Sequence, residues 1–212
     1  MPTLLKIDVS TRGEQSISRR LSSHFLEQWR EAHADCTVIE RDLNMTNLPF
    51  LGFPWIKANL AKSSARTDEQ RAILTTSDGL VAELQQADEY VLATPMYNFG
   101  IPAKLKAYVD HIVRSGHTFS MNADGNYTGL LMGKKATVII ASAGEYGPNA
   151  PAEGLDTLRP YLREILGFMG VTDVTFIQSG STWKVDSGSE QAEQHIAPLI
   201  AQVKKAAGVQ AE

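Results

Sequence analysis

Five short apolar runs alternate with stretches of helical period along the whole chain, and this alternation limits the folds open to it. The runs are residues 4–9, 36–39, 90–93, 136–141 and 171–178. Each is too short for a buried helix and rich in branched apolar residues, as in a strand covered on both faces. Between them the apolar period changes. Leu21, Phe25 and Trp29 recur at i, i+4 and i+8; Ile73, Leu74, Leu80, Val81 and Leu84 mark a second helix. Leu105, Val109, Ile112 and Val113 mark a third, residues 155–168 a fourth, and residues 191–207 a fifth that Pro198 is expected to kink. Ser16 or Ser18 can cap the first helix, and Thr67-Asp68-Glu69-Gln70 has the spacing of a capping box. Pro102 suits the first turn of the third. Strands that alternate with helices pair in parallel through right-handed crossovers. The expected fold is α/β, a doubly wound five-stranded parallel sheet in the order 2-1-3-4-5 between two helical layers. A chain of 212 residues is expected to form it as one domain, residues 1–212.

Composition narrows the partners. A net charge of −4 lacks the basic footprint of a nucleic-acid binder. Cys36 has no second cysteine to pair with and reads as a small hydrophobe on an inner strand. The first residues lack a signal peptide's basic and apolar regions, and no run approaches the roughly 18 apolar residues of a membrane span. The expectation is a cytoplasmic protein that engages neither membrane nor nucleic acid. Its partners are small molecules or a second copy of itself.

In a doubly wound sheet, ligands sit beyond the carboxyl ends of the strands where the strand order reverses. Here that point lies between strands one and three, so residues 10–18 and 95–100 must meet there. The first loop offers hydroxyls at Ser10, Thr11, Ser16 and Ser18 beside the free amides of a helix start, a site that favours phosphate. It lacks both G-x-G-x-x-G and G-x-x-x-x-G-K-[ST], so a lone phosphate fits better than a dinucleotide or triphosphate. The plainer reading makes these serines caps and loop polars. In the second loop, Met96, Tyr97 and Phe99 can wall a flat aromatic ring while Asn98 meets its polar edge. The plainer reading packs them over the third helix.

Pro95-Met96-Tyr97-Asn98-Phe99, followed by Ile101, Leu105 and Lys106, resembles the hallmark of the FMN-dependent NADH-azoreductases, members of the flavodoxin-like quinone reductases. Further agreement comes from Phe25-Leu26-Glu27-Gln28-Trp29-Arg30, Arg41-Asp42-Leu43, Gly133-Lys134-Lys135-Ala136, Pro160-Tyr161-Leu162 and Leu166-Gly167-Phe168. These stations span nearly the whole chain. The resemblance implies a flavodoxin-like fold, bound FMN, and a homodimer with flavin sites at the subunit interface. It also implies alternating reaction with NADH as donor and a quinone or azo compound as acceptor. Ser10, Ser16, Ile17 and Ser18 match the family's phosphate loop, and Met96, Tyr97, Asn98 and Phe99 match its ring-binding loop. Its third segment, Ser-Arg-Gly-Gly, is altered here to Ser142-Ala143-Gly144-Glu145. Ser142 and Gly144 are the nearest matches and the arginine is absent.

Hydride transfer needs no protein nucleophile, because the cofactor carries the chemistry. No catalytic acid or base is therefore expected, with protons drawn from solvent or from a hydroxyl such as Tyr127. His111 reads as structural, His117 as a candidate for lining the crevice, and no cluster has metal-site spacing. The aromatic stretch 49–55 is expected either to cover the acceptor site of its own or the partner subunit, or to form a satellite core. Two other functions fit the alternation. A flavodoxin-type electron carrier would want a markedly more acidic face. A phospho-accepting receiver would want an acidic cluster where this chain has Asp8, Val9 and Ser10.

Overall fold

Each of the five apolar runs seeds a strand of a single parallel sheet. The computed structural model of the chain describes residues 1–209. In chain order its elements are β1 (Thr3–Asp8), α1 (Ile17–Ala32), β2 (Thr37–Asp42), α2 (Phe53–Leu60), α3 (Asp68–Gln86) and β3 (Glu89–Pro95). There follow α4 (Ala103–Ile112), β4 (Phe119–Met121), β5 (Tyr127–Gly129), β6 (Lys135–Ala141), α5 (Leu158–Phe168) and β7 (Asp173–Ser179), then α6 (Trp183–Asp186), α7 (Ala192–Ile196) and α8 (Ile200–Ala206). The sheet order is β2-β1-β3-β6-β7 with every pair parallel. This is the expected 2-1-3-4-5 order, because β4 and β5 form a separate antiparallel ribbon.

Strand side chains alternate between two cores. Leu5, Ile7, Leu92, Val138 and Ile140 face the layer of α3, α4 and α5. Leu4, Val91, Ala93, Ile139 and Ile177 face α1, α7 and α8. Burying a large apolar side chain is worth about 1.5–3 kcal/mol, so these strand residues together outweigh any single polar contact in holding the layers together. Trp29 is fully buried on the α1 side, where its indole N–H donates to Glu89 at 3.1 Å. The same face of β1 turns polar toward its end, with Lys6 and Asp8 following Leu4.

Four expectations need adjustment. The aromatic stretch 49–55 is not all covering loop, since Pro54 in the first turn and the apolar residues around it start α2. Trp55, Ala58 and Leu74 form the satellite core, while Phe50 and Phe53 stay exposed. Cys36 lies just before β2, an edge strand and not an inner one, and is half-buried as a free thiol. Pro102 sits at the cap of α4, one residue before its first turn. Pro198 does more than kink the closing helix: a 3-10 turn, Ala197–Leu199, divides it into α7 and α8.

Candidate functional site

Three loops meet at the carboxyl edge of the sheet. Val9 N–H donates to the Ala93 carbonyl at 3.0 Å, and Met96 N–H to the Ala141 carbonyl at 2.8 Å. The chain exits from β1, β3 and β6 therefore stand side by side, at the reversal of strand order.

The first loop runs from Ser10 into α1. Ser10, Ser16, Ile17 and Ser18 are all buried. Ser16 is the cap residue: its Oγ accepts from Arg19 N–H at 3.3 Å and shares a 3.1 Å hydrogen bond with Ser18 Oγ. The amides of Ile17 and Ser18 belong to the first turn, whose donors a helix leaves unpaired. Hydroxyls and amides together with the positive end of the helix dipole suit a phosphate. Sequence reasoning found the serines but missed two arginines. Arg19 binds the Ser10 carbonyl from beneath. Arg12 pairs with Asp186 of α6 at 2.6 Å; that hydrogen bond raises its pKa over the opposing cost of burial, and Tyr97 adds to the effect.

The second loop is a two-residue hairpin. Tyr97 and Gly100 exchange backbone hydrogen bonds at 3.1 and 3.0 Å, and both residues between them have positive φ, 50° at Asn98 and 68° at Phe99. This is the type I′ pattern, which asparagine tolerates and phenylalanine does not favour. Thr157 clamps the turn, since its N–H and Oγ donate to the Phe99 carbonyl at 3.0 and 2.7 Å. Tyr146 meets the Phe99 ring edge to face at 5.8 Å. The hairpin holds Tyr97 and Phe99 outward, 43% and 44% exposed, whereas Met96 packs back on the core. Thus the plainer reading holds for the Met96 side chain alone.

The third loop brings up Ser142 and Gly144. Ser142 is buried, and its Oγ donates to the Gly144 carbonyl at 2.9 Å. A Cβ on Gly144 would lie 2.9 Å from the Tyr146 ring, so the altered segment keeps a glycine on which this ring packs closely. Glu145, in place of the family's glycine, accepts from Ser181 Oγ at 2.7 Å and ties this loop to the one after β7. Behind it Ser179, His195 and Glu190 form a hydrogen-bonded chain at 3.1 and 2.8 Å. The order of contacts copies a serine hydrolase, but Ser179 is only 2% exposed. The Glu145 carboxylate also packs against Gly180, filling the space a side chain there would need. The chain serves to fasten α7 to β7.

Other candidates lie elsewhere. Helix α4 runs back from the crevice, so His117, beyond its last turn, reaches the opposite edge of the sheet. There its carbonyl accepts from Gln85, and burial and then the Arg114 cation lower its pKa. It does not line the crevice of its own chain. Tyr127 lies at that edge too, packed on Phe119 and Phe168 at 5.9 and 5.3 Å, and so is no proton donor to this chain's own crevice. His111 is structural, with Nε2 2.9 Å from the Pro49 carbonyl. Among the described residues no group of three or more His, Cys, Asp or Glu is placed to hold a metal ion.

A family model described as the flavodoxin-like fold matches residues 2–206. FMN-dependent NADH:quinone oxidoreductase 2 of Jannaschia sp. (strain CCS1) is 44% identical over 207 residues, covering 98% of this chain and 100% of the relative. The chain belongs to the flavodoxin-like FMN-dependent NADH:quinone oxidoreductases. A second member of this family, FMN-dependent NADH:quinone oxidoreductase 8 of Burkholderia lata, is 45% identical over 188 residues, 89% of this chain and 88% of the relative. Among solved structures, an azoreductase from Bacillus anthracis str. Sterne aligns over 98% of this chain and 99% of its own, with TM-score 0.85 and 28% identity. The family likeness thus runs the length of the fold, with all three loops inside it.

Proposed function

We propose that this chain is an FMN-dependent NADH oxidoreductase that reduces quinones and aromatic azo compounds by two-electron ping-pong transfer. The observation that carries this reading is one convergence. A buried, serine-capped helix start meets an outward-held aromatic hairpin where the sheet reverses its strand order. Ser10, Ser16, Ile17 and Ser18 hold the phosphate. Tyr97, Asn98 and Phe99, with the Met96 backbone, flank the ring, and Ser142 and Gly144 meet its polar edge. Bound FMN supplies the hydride chemistry. The protein's part is to hold the ring with one face open, so that donor and acceptor take turns at the same place. No side chain is assigned as catalytic acid or base, and protons come from solvent.

The whole chain, residues 1–212, acts as one FMN-binding unit and pairs with a second copy in the cytoplasm. Helix α2 supports the pairing, because Phe53, Ile56 and Leu60 lie exposed along it beside Phe50. An apolar patch of this kind marks an interaction surface. No described helix is long and apolar enough to cross a membrane. The electron-carrier alternative is not favoured, since the relatives matched along the full length are named as NADH:quinone oxidoreductases. Steady-state kinetics test the reading: varied NADH at several fixed quinone concentrations should give parallel double-reciprocal lines, and NADH should outperform NADPH. Intersecting lines, or no turnover with quinones and an azo dye, would overturn it.

A further inference from the structure

Beneath the phosphate loop lies a cluster of charges that the reading above leaves unused. On the α1 face of β1, Lys6 pairs with Asp8, and Asp8 accepts from Ser22 Oγ at 2.8 Å. Arg19, in the first turn of α1, reaches over them. Its Nε and Nη2 donate to the Ser10 carbonyl at 2.9 and 2.6 Å, Nη2 also to Asp42 at 2.7 Å, and Nη1 lies 3.7 Å from Asp8. The side chains of Lys6, Asp8 and Arg19 are only 7%, 9% and 17% exposed.

We infer that Arg19 is a positioning residue for the cofactor phosphate, acting by fixing the Ser10 peptide and not by its charge. This inference rests on the placement of FMN proposed above. Two donors from one guanidinium edge converge on this single carbonyl and hold its direction. In a trans peptide the carbonyl and the next N–H point opposite ways, and no described peptide is cis. With the Ser10 oxygen held against the guanidinium, the Thr11 N–H points away from it, toward the exposed side of the loop where an anion would sit. Were the plane turned over, a carbonyl dipole would face the phosphate. The backbone of Arg19 completes the device, since its N–H holds Ser16 Oγ at the other end of the same loop.

Charge is not the means. Lys6 and Arg19 face Asp8 and Asp42, and Glu40 lies 3.7 Å from Lys6, so the cluster carries no net positive charge. Burial disfavours the Asp42 carboxylate, yet the hydrogen bond from Arg19 and the amides of Asn44 and Met45 still hold its pKa below the ordinary range. The ion pair is therefore intact at neutral pH and holds the fork in place.

Dissociation of FMN and of riboflavin from the reconstituted holoenzyme, followed by the return of flavin fluorescence on dilution, tests this. Only FMN has the phosphate. Arg19→Gln is expected to speed FMN loss by about tenfold, the scale of one charge-assisted hydrogen bond, and to leave riboflavin loss nearly unchanged. Arg19→Lys keeps the charge without the fork and should behave like Arg19→Gln. Asp42→Asn, which removes one anchor of the guanidinium, should give a smaller effect with the same selectivity, and serves if the Arg19 variants fold poorly. Equal acceleration of both flavins, no acceleration, or rescue by lysine would overturn the inference. A Ser16→Ala/Ser18→Ala variant separates the two claims. If it fails to speed FMN loss selectively, the placement of the phosphate is what has failed; if it does and Arg19→Gln does not, only the role of Arg19 falls.

Discussion

At Phe99 the backbone is left-handed, a conformation that costs a non-glycine residue on the order of 1–3 kcal/mol. Thr157 and Tyr146 hold it there, and the result is an outward ring beside the crevice. Phe99→Gly is therefore expected to leave stability unchanged or raise it by about 1 kcal/mol in urea unfolding, while weakening FMN binding. Lower stability with unchanged FMN affinity would make Phe99 an ordinary packing residue. His117 gives a prediction in pH. Burial first, and then Arg114, lower its pKa in the folded state, so the unfolded chain takes up a proton at a higher pH, near 6.5. This contribution is complete above that value and is lost as pH falls from it toward the lower folded pKa. Unfolding of wild type and His117→Asn across this range should show a shallower slope for the variant; equal slopes would contradict the assignment. The serines and the Tyr97-Asn98-Phe99 turn were legible because capping residues and large apolar residues in a loop each have a local reason. Arg12 and Arg19 were not, because their partners Asp186 and Asp42 are set by the fold and not by spacing.

Among elements, the five strands and their order were readable from runs of branched residues, most plainly at β3 and β6, which are covered on both faces and have no polar alternation to hide them. The ribbon of β4 and β5 was not. Its strands have three residues each, and its packing depends on a distant turn: a Cβ on Gly129 would lie 2.1 Å from the Gly170 nitrogen. Gly129→Ala should destabilise the protein by about 1–3 kcal/mol in chemical unfolding, as overpacking does. A loss near zero would mean that the ribbon moves independently of the turn before β7. Helix α2 escaped notice for another reason, since Pro49 and Pro54 and the neighbouring aromatic residues resemble a loop until Trp55 is seen turned inward and Phe53 outward.

For the whole molecule, the two cores account for the layers but leave the apolar side of α2 uncovered. Phe53→Glu/Leu60→Glu would set charges against their symmetry mates in a self-complementary interface. Size-exclusion chromatography with light scattering should find wild type dimeric and this variant monomeric. A variant that stays dimeric would move the interface elsewhere. The central claim is that the crevice between β1 and β3 holds FMN for electrons arriving from NADH and leaving to a quinone. Anaerobic stopped-flow mixing of the yellow holoprotein with NADH, followed by a quinone, tests it most directly. The visible flavin absorbance should bleach at least as fast as steady-state turnover and return when quinone is added. A protein that binds no FMN, or a bound flavin that NADH leaves yellow, would contradict the account.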